Sequence, residues 1–171
     1  MVIIVTGDIG AGKTTVCRKV IELAQDQGYT CGGILTFKAP DESLTILDIQ
    51  TGEREVFAST DKDLNGPKTP KYSFSPEGID FGIRAIENGA ASDVLIVDEI
   101  GRLELGGEGF TKSLELIKTG RVKNSILVIR EQLLSDFLTR LGSNPSIFET
   151  TTSNRDRLPQ EICYSLIGGT V

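Results

Sequence analysis

Residues 2–15 read Val-Ile-Ile-Val-Thr-Gly-Asp-Ile-Gly-Ala-Gly-Lys-Thr-Thr, and this stretch decides the fold. Gly7, four residues, and then Gly12-Lys13-Thr14 match the phosphate-loop pattern. Its glycines let backbone N–H groups turn inward and approach phosphate oxygens. Lys13 brings a flexible point charge to the outer phosphates, and the Thr14 hydroxyl is placed to ligate Mg²⁺. The helix expected to start here adds the positive end of its dipole. The flanks fit. Val2 to Val5 is a short apolar run, as a buried parallel strand should be. Val16, Val20, Leu23 and Ala24 then recur at helical spacing. Strand, loop and helix follow in the required order.

Working outward, the first helix is expected from Gly12 to Gln27, with Gly28 closing it. After Cys31-Gly32-Gly33, strands are expected at Ile34–Lys38 and Leu44–Ile49, then a short run ending at Val56-Phe57. Turns separate them, so the 33–57 region reads as an antiparallel meander, either an edge extension of the sheet or a flap near the nucleotide. Residues 59–76 are rich in Lys, Asp, Pro, Gly and Ser and read as an exposed loop. Lys62, Lys68 and Lys71 there are either solvated or within reach of a phosphate. A helix is expected over Pro76–Asn88, stopped by Gly89.

The second informative stretch is Val94-Leu95-Ile96-Val97-Asp98-Glu99, an apolar strand ending in two acids. Ligands of open α/β sheets sit at the carboxyl ends of strands. Asp98 stands where a Walker B aspartate belongs, holding Mg²⁺ directly or through water. Glu99 is a candidate base for a water aimed at the γ-phosphate. Strand alternation gives the two acids different jobs. Gly101 permits a sharp turn beside them. Arg102 is either a cation for charge on transferring phosphate oxygens or a surface arginine. Further on, a helix is expected over Phe110–Lys118, a buried strand over Ile126–Ile129, a helix over Glu131–Leu141 and a last core strand over Ile147–Thr150. Arg130 is either a γ-phosphate sensor or the opening of the helix that follows. The polar loop 151–156 either cradles a base or ribose, or caps the final helix near Leu158–Leu166.

Composition sets limits. The chain has 171 residues, 39% hydrophobic and 25% charged, which suits one soluble domain with a sizeable core. A net charge of −6 does not favour a broad nucleic-acid surface. There is no histidine, which removes the commonest general base and zinc ligand. Cys17, Cys31 and Cys163 are far apart and read as free thiols of a reducing compartment, so a cytoplasmic location is expected. No targeting segment, membrane span, internal repeat or low-complexity tract is visible.

With these stretches in hand, the chain resembles the small P-loop nucleoside-triphosphatases first described from thermophiles, which include the human cancer-related NTPase. The resemblance rests on Gly7 to Thr14, on Gly32 to Thr36 with its meander, on Asp98-Glu-Ile-Gly-Arg-Leu-Glu-Leu105 and on Asn154-Arg155-Asp156. The Asp-Glu-Ile-Gly-x-x-Glu segment is the specific part. The resemblance implies Mg²⁺-dependent hydrolysis of nucleoside triphosphates with loose base preference and slow turnover. The chain departs from the family where Thr36 is followed by Phe37-Lys38-Ala39-Pro40 instead of an acidic and basic Thr-x-Glu-x-Arg pattern. Roles tied to that pattern do not transfer, apart from a cation at Lys38.

The expectation is a single three-layered α/β P-loop domain over 1–171, with a mostly parallel sheet, acting as a monomer. Lys13 and Glu99 are the catalytic residues, and Thr14 and Asp98 the Mg²⁺ ligands. The nucleotide-binding set is Gly7, Asp8, Ile9, Gly10, Ala11, Gly12, Lys13, Thr14, Thr15, Asp98, Glu99, Ile100, Gly101, Arg102, Arg130, Asn154 and Arg155. Two rivals stand beside hydrolysis. One is a small-molecule or nucleic-acid kinase using ATP or GTP. The other is a GTP-dependent switch, which usually carries an Asn-Lys-x-Asp motif that this chain lacks.

Overall fold

Strand β1 (Val2–Thr6) is paired along both of its edges, and its side chains alternate between two separate cores. Ile3 and Val5 point to one face of the sheet, Ile4 to the other, and all three are fully buried. An apolar run without polar alternation is what a strand covered on both faces requires. A computed structural model describes residues 1–142 and 144–168. Helix α1 (Lys13–Asp26) follows the phosphate loop. The expected meander appears as β2 (Cys31–Lys38), β3 (Leu44–Asp48) and β4 (Arg54–Ser59), with a further short strand β5 (Ser73–Phe74). Next come α2 (Pro76–Gly89), β6 (Val94–Ile100), the single turn α3 (Arg102–Leu105) and α4 (Thr111–Lys118). The chain then forms β7 (Ser125–Ile129), a 3-10 turn over Glu131–Leu133, α5 (Leu134–Leu141), β8 (Ser146–Glu149) and α6 (Leu158–Ile167).

The strands form one sheet in the order β5-β4-β3-β2-β6-β7-β1-β8. Strands β2, β6, β7, β1 and β8 are parallel, while β3, β4 and β5 extend the β2 side antiparallel. Helices α1 and α6 pack on one face through Val16, Val20, Leu158 and Ile162. The other face is covered through Ile86, Leu114, Phe137 and Leu141 of α2, α4 and α5. The expected three layers are present.

Four features differ from the expectation. The residues of β8 look like a core strand in sequence, yet β8 sits at the sheet edge with Ile147 46% exposed. Residues 59–76 are not wholly a free loop. Phe74 of β5 is buried and meets Phe57 edge-on with ring centroids 5.0 Å apart, and Phe57 in turn stacks on Phe110 at 5.1 Å. Aromatic pairs of this kind anchor the returning end of the segment.

Strand β2 also begins at Cys31, earlier than its apolar pattern suggests. Its glycines are there for closeness. Gly33 has φ +99°, and a Cβ on it would lie 2.0 Å from the Ile96 carbonyl oxygen. A Cβ on Gly32 would lie 2.5 Å from the Cα of Gly89. The end of α2 therefore rests directly on the backbone of β2, and Gly89 is the helix's last residue, not the stop beyond it. The three cysteines are free and buried. Burial raises the thiol pKa of each, to about 11 for Cys31.

Candidate active site

The phosphate loop joins β1 to α1 at the carboxyl edge of the sheet. Gly7, Gly10 and Gly12 all have positive φ, from 81° to 131°, which the loop's inward turns demand. At Gly7 the neighbour leaves no room either, since a Cβ would meet the Thr150 carbonyl oxygen at 2.4 Å. Lys13 is half-buried, and its Nζ donates to the Gly7 carbonyl at 2.8 Å and to the Asp8 carbonyl at 2.6 Å. Burial lowers its pKa, opposed by the nearby Glu99 carboxylate. The ammonium is thus pinned across the mouth of the loop. Ile9 is 82% exposed at the rim, and Asp8 and Thr15 are also exposed. Ala11 is buried beneath the loop.

Asp98 is the centre of the site. It is 1% exposed. Its Oδ2 accepts from the Thr14 hydroxyl at 2.7 Å and from the Thr36 backbone N–H at 3.1 Å. Thr36 also donates from its hydroxyl to the Asp98 carbonyl at 3.1 Å. Strands β2 and β6 are neighbours, so the sheet itself makes this contact. Burial pushes the Asp98 carboxyl up to about 7, against the lowering bond from Thr14. A buried carboxylate penalised in this way is stabilised by an adjacent cation. With the Thr14 hydroxyl it offers the hard oxygen donors that Mg²⁺ prefers, and phosphates and waters commonly supply the rest. The residues fit that ion.

Glu99 diverges from Asp98, though not by simple alternation. It has φ +76° in a bulge, where the β6–β7 register shifts between Val97 and Ile100. A non-glycine residue in that conformation is uncommon. The bulge swings Glu99 into the cleft, where its carboxylate is bonded by the guanidinium of Arg130 from the end of β7. Ile100, expected near nucleotide, is 1% exposed and belongs to the core under α2 and α4, so its side chain is turned away from the cleft.

A cleft of about 590 Å³ opens over these groups. It is lined by Gly10, Gly12, Lys13, Thr14, Thr15, Thr36, Asp98, Glu99 and Arg130. It also takes in Arg18, Phe37, Leu44 and Tyr72, which the sequence pattern does not single out, together with Lys38 and Lys71, two cations whose roles the sequence leaves open. Glu42 in the β2–β3 turn pairs with both Lys38 and, at 3.3 Å, Lys71. The turn and the 59–76 segment therefore meet over the cleft, as a flap would. The signal available in sequence was the aromatic Tyr72 among polar residues.

Arg102 and Gly101 do not line this cleft. They line a second hollow beyond Glu99. The turn that carries them is fixed by Glu104, which is 2% exposed. Its two oxygens accept from the Gly101 N–H at 2.7 Å and the Phe110 N–H at 2.8 Å. Burial raises its pKa, opposed by those bonds. The role of Glu104 was invisible in sequence beyond its place in the motif. At the opposite end, the Asn154 side chain accepts from Thr151 N–H and donates to the Glu149 carbonyl, both at 2.8 Å. It braces its own loop. Arg155 lies over the start of α1, where a Cβ on Gly12 would sit 3.4 Å from its Cδ.

The chain is similar to known proteins over almost its whole length. A family model described as NTPase matches residues 2–163. A protein named nucleoside-triphosphatase THEP1 from Methanopyrus kandleri is 30% identical, the match covering 94% of this chain and 92% of the relative. One of the same name from Methanosarcina barkeri is also 30% identical, covering 94% of each. Among solved structures, THEP1 from Aquifex aeolicus superposes with a TM-score of 0.77 at 22% identity, covering 98% of this chain and 99% of that one. The solution structure of a human cancer-related nucleoside triphosphatase gives 0.72 at 18%, covering 99% and 98%. These two bear on the fold.

Proposed function

We propose, from the premise that this chain belongs to the NTPase family, that it hydrolyses nucleoside triphosphates to diphosphate and phosphate in the cleft over β1, β6 and β7. The observation that carries this reading is the convergence of Thr14 and Asp98 beside a pinned Lys13, with Glu99 standing in the same cleft. The loop amides and Lys13 bind the phosphate tail. Thr14 and Asp98 are the residues that would hold Mg²⁺, which when bound neutralises charge on the phosphate oxygens.

Glu99 takes a proton from a water. That water's oxygen bonds to the γ-phosphorus as the bond to the bridging oxygen breaks, and the leaving diphosphate keeps the electron pair. Arg130 holds Glu99 in place before nucleotide arrives and faces the γ-phosphate once it is bound. Sites of this kind work by positioning and electrostatics, with little covalent chemistry for the protein to do.

Transfer to an organic acceptor is not favoured, because the matched relatives carry the name nucleoside-triphosphatase. The three buried free thiols support a reducing, cytoplasmic setting. No described helix is long and apolar enough to cross a membrane.

The test is to incubate the pure protein with Mg²⁺ and a panel of triphosphates and to follow released phosphate, with Lys13→Ala as control. Release that needs Lys13 is expected. A parent protein that releases no phosphate, or a Lys13→Ala variant that matches it, defeats the proposal.

A further inference from the structure

Beyond the Glu99–Arg130 pair, on the side away from the phosphate loop, lies a second hollow of about 270 Å³. Glu99, Arg130 and Tyr72 form a wall common to it and the cleft. Its floor is apolar, formed by Phe57, Phe74 and Leu103, all at most 8% exposed. The size admits one small ring system and excludes a helix or a folded segment.

Charge selects further. Five charged side chains line the hollow: Lys71, Arg102, Arg130, Glu99 and Glu104. Arg130 is paired with Glu99, and Lys71 with Glu42. Both Glu104 oxygens are bonded by backbone N–H groups. Arg102 alone has no carboxylate within ion-pair distance among the described residues. Its carrying turn is clamped by the buried Glu104, so the guanidinium's base is held at the rim of an apolar, ring-lined cavity. A planar, always-charged donor fork is suited to bind a carboxylate, sulfonate or phosphate oxygen pair.

We propose that this hollow is a second small-molecule site, which takes a planar aromatic anion with its ring against Phe57, Phe74 and Tyr72 and its charge on Arg102. The site concerns binding and stands apart from the hydrolysis reading. Its occupant also touches the Glu99–Arg130 pair, so binding is felt at the edge of the cleft.

The probe is salicylate, a planar single-ring aromatic anion whose own fluorescence anisotropy rises on binding, titrated onto the full chain. Benzoate serves as a competitor, and the neutral benzamide as its uncharged counterpart. Saturable binding of one equivalent is expected, displaced by benzoate roughly tenfold more strongly than by benzamide. Arg102→Glu reverses the charge at an exposed position. Gln132→Trp fills the rim at another, and introduces the only tryptophan in the chain. Each should weaken the probe at least about tenfold while the Tm stays put, whereas Lys13→Ala should not. Equal binding by both rim variants overturns the proposal, as does equal displacement by benzamide. Loss of binding in Lys13→Ala would place the probe in the phosphate loop and overturn it too.

Discussion

Arg130, just past the end of β7, is bonded to the carboxylate of Glu99 near the end of β6, while the phosphate-loop cation Lys13 is held by the carbonyls of Gly7 and Asp8. Before nucleotide arrives, both positive groups are thus engaged by the protein itself. In the proposed reaction a triphosphate would compete for both and so free the Glu99 carboxylate to face a water.

Glu99→Gln should bind Mg²⁺ and a nonhydrolysable triphosphate within a few-fold of the parent and hydrolyse it far more slowly. Glutamine keeps the shape and a bond to Arg130 but takes no proton. The loss of a general base is worth on the order of 10² to 10⁴ in rate. Single-turnover hydrolysis checks the rate and a titration checks the binding. Unchanged hydrolysis sinks the assignment, and weakened Mg²⁺ binding would move Glu99 into the metal site.

Base selectivity should be weak, with purine and pyrimidine triphosphates accepted within roughly tenfold, about 1.4 kcal/mol. Strong discrimination requires buried polar groups that a wrong base leaves unpaired. The Asn154 amide, the obvious reader in the 151–156 loop, is already committed to Thr151 and Glu149. Competition assays with the four common triphosphates decide it, and a thousandfold preference for one base contradicts it.

Glu104→Gln should destabilise the fold by about 1–3 kcal/mol, equivalent to a Tm drop of a few degrees for a chain of this size. Two backbone N–H groups converge on its carboxylate. An amide offers one acceptor oxygen, so its NH₂ must face one of the donors. Thermal unfolding of the variant measures this directly, and a Tm equal to the parent's refutes it.

Acid stability should depend on Asp93. Its carboxylate accepts from Thr30 N–H and hydroxyl and pairs with Lys123, which holds its pKa down at about 2. A carboxylate unfolded-state pKa of about 3.9 lies above that, so the unfolded chain takes up a proton first as pH falls. The stabilisation is complete above about pH 4 and is lost between there and about pH 2. Asp93→Asn should flatten the Tm-against-pH curve in that window. Identical slopes for parent and variant would falsify this.

The central part of the candidate site is legible in sequence because its pattern is local. Gly7 to Thr14 must be contiguous to wrap a phosphate, and Asp98 and Glu99 close a run of apolar residues that can only be a central strand. What stayed hidden depends on distant partners. Nothing in the sequence around Glu104 says that the N–H groups of Gly101 and Phe110 will converge on it. Lys71 and Tyr72 sit in a polar stretch that reads as solvent, and β5 and the Phe57–Phe74 contact bring them over the cleft. Ile147 and Phe148 carry a core-like pattern, yet edge placement is decided by strand order, which periodicity does not encode. Glu99 was assigned its direction by alternation and obtains it from a bulge.

The buried cysteines have a practical consequence. Thiolate is the species that alkylates, and each thiol here is both covered and shifted away from ionisation. The native chain should therefore be nearly silent to maleimide at neutral pH without removing a single cysteine. A lone cysteine introduced at the exposed Asp41 in the β2–β3 turn would then carry a fluorophore selectively, and its emission would report in real time whether this turn shifts when triphosphate is added.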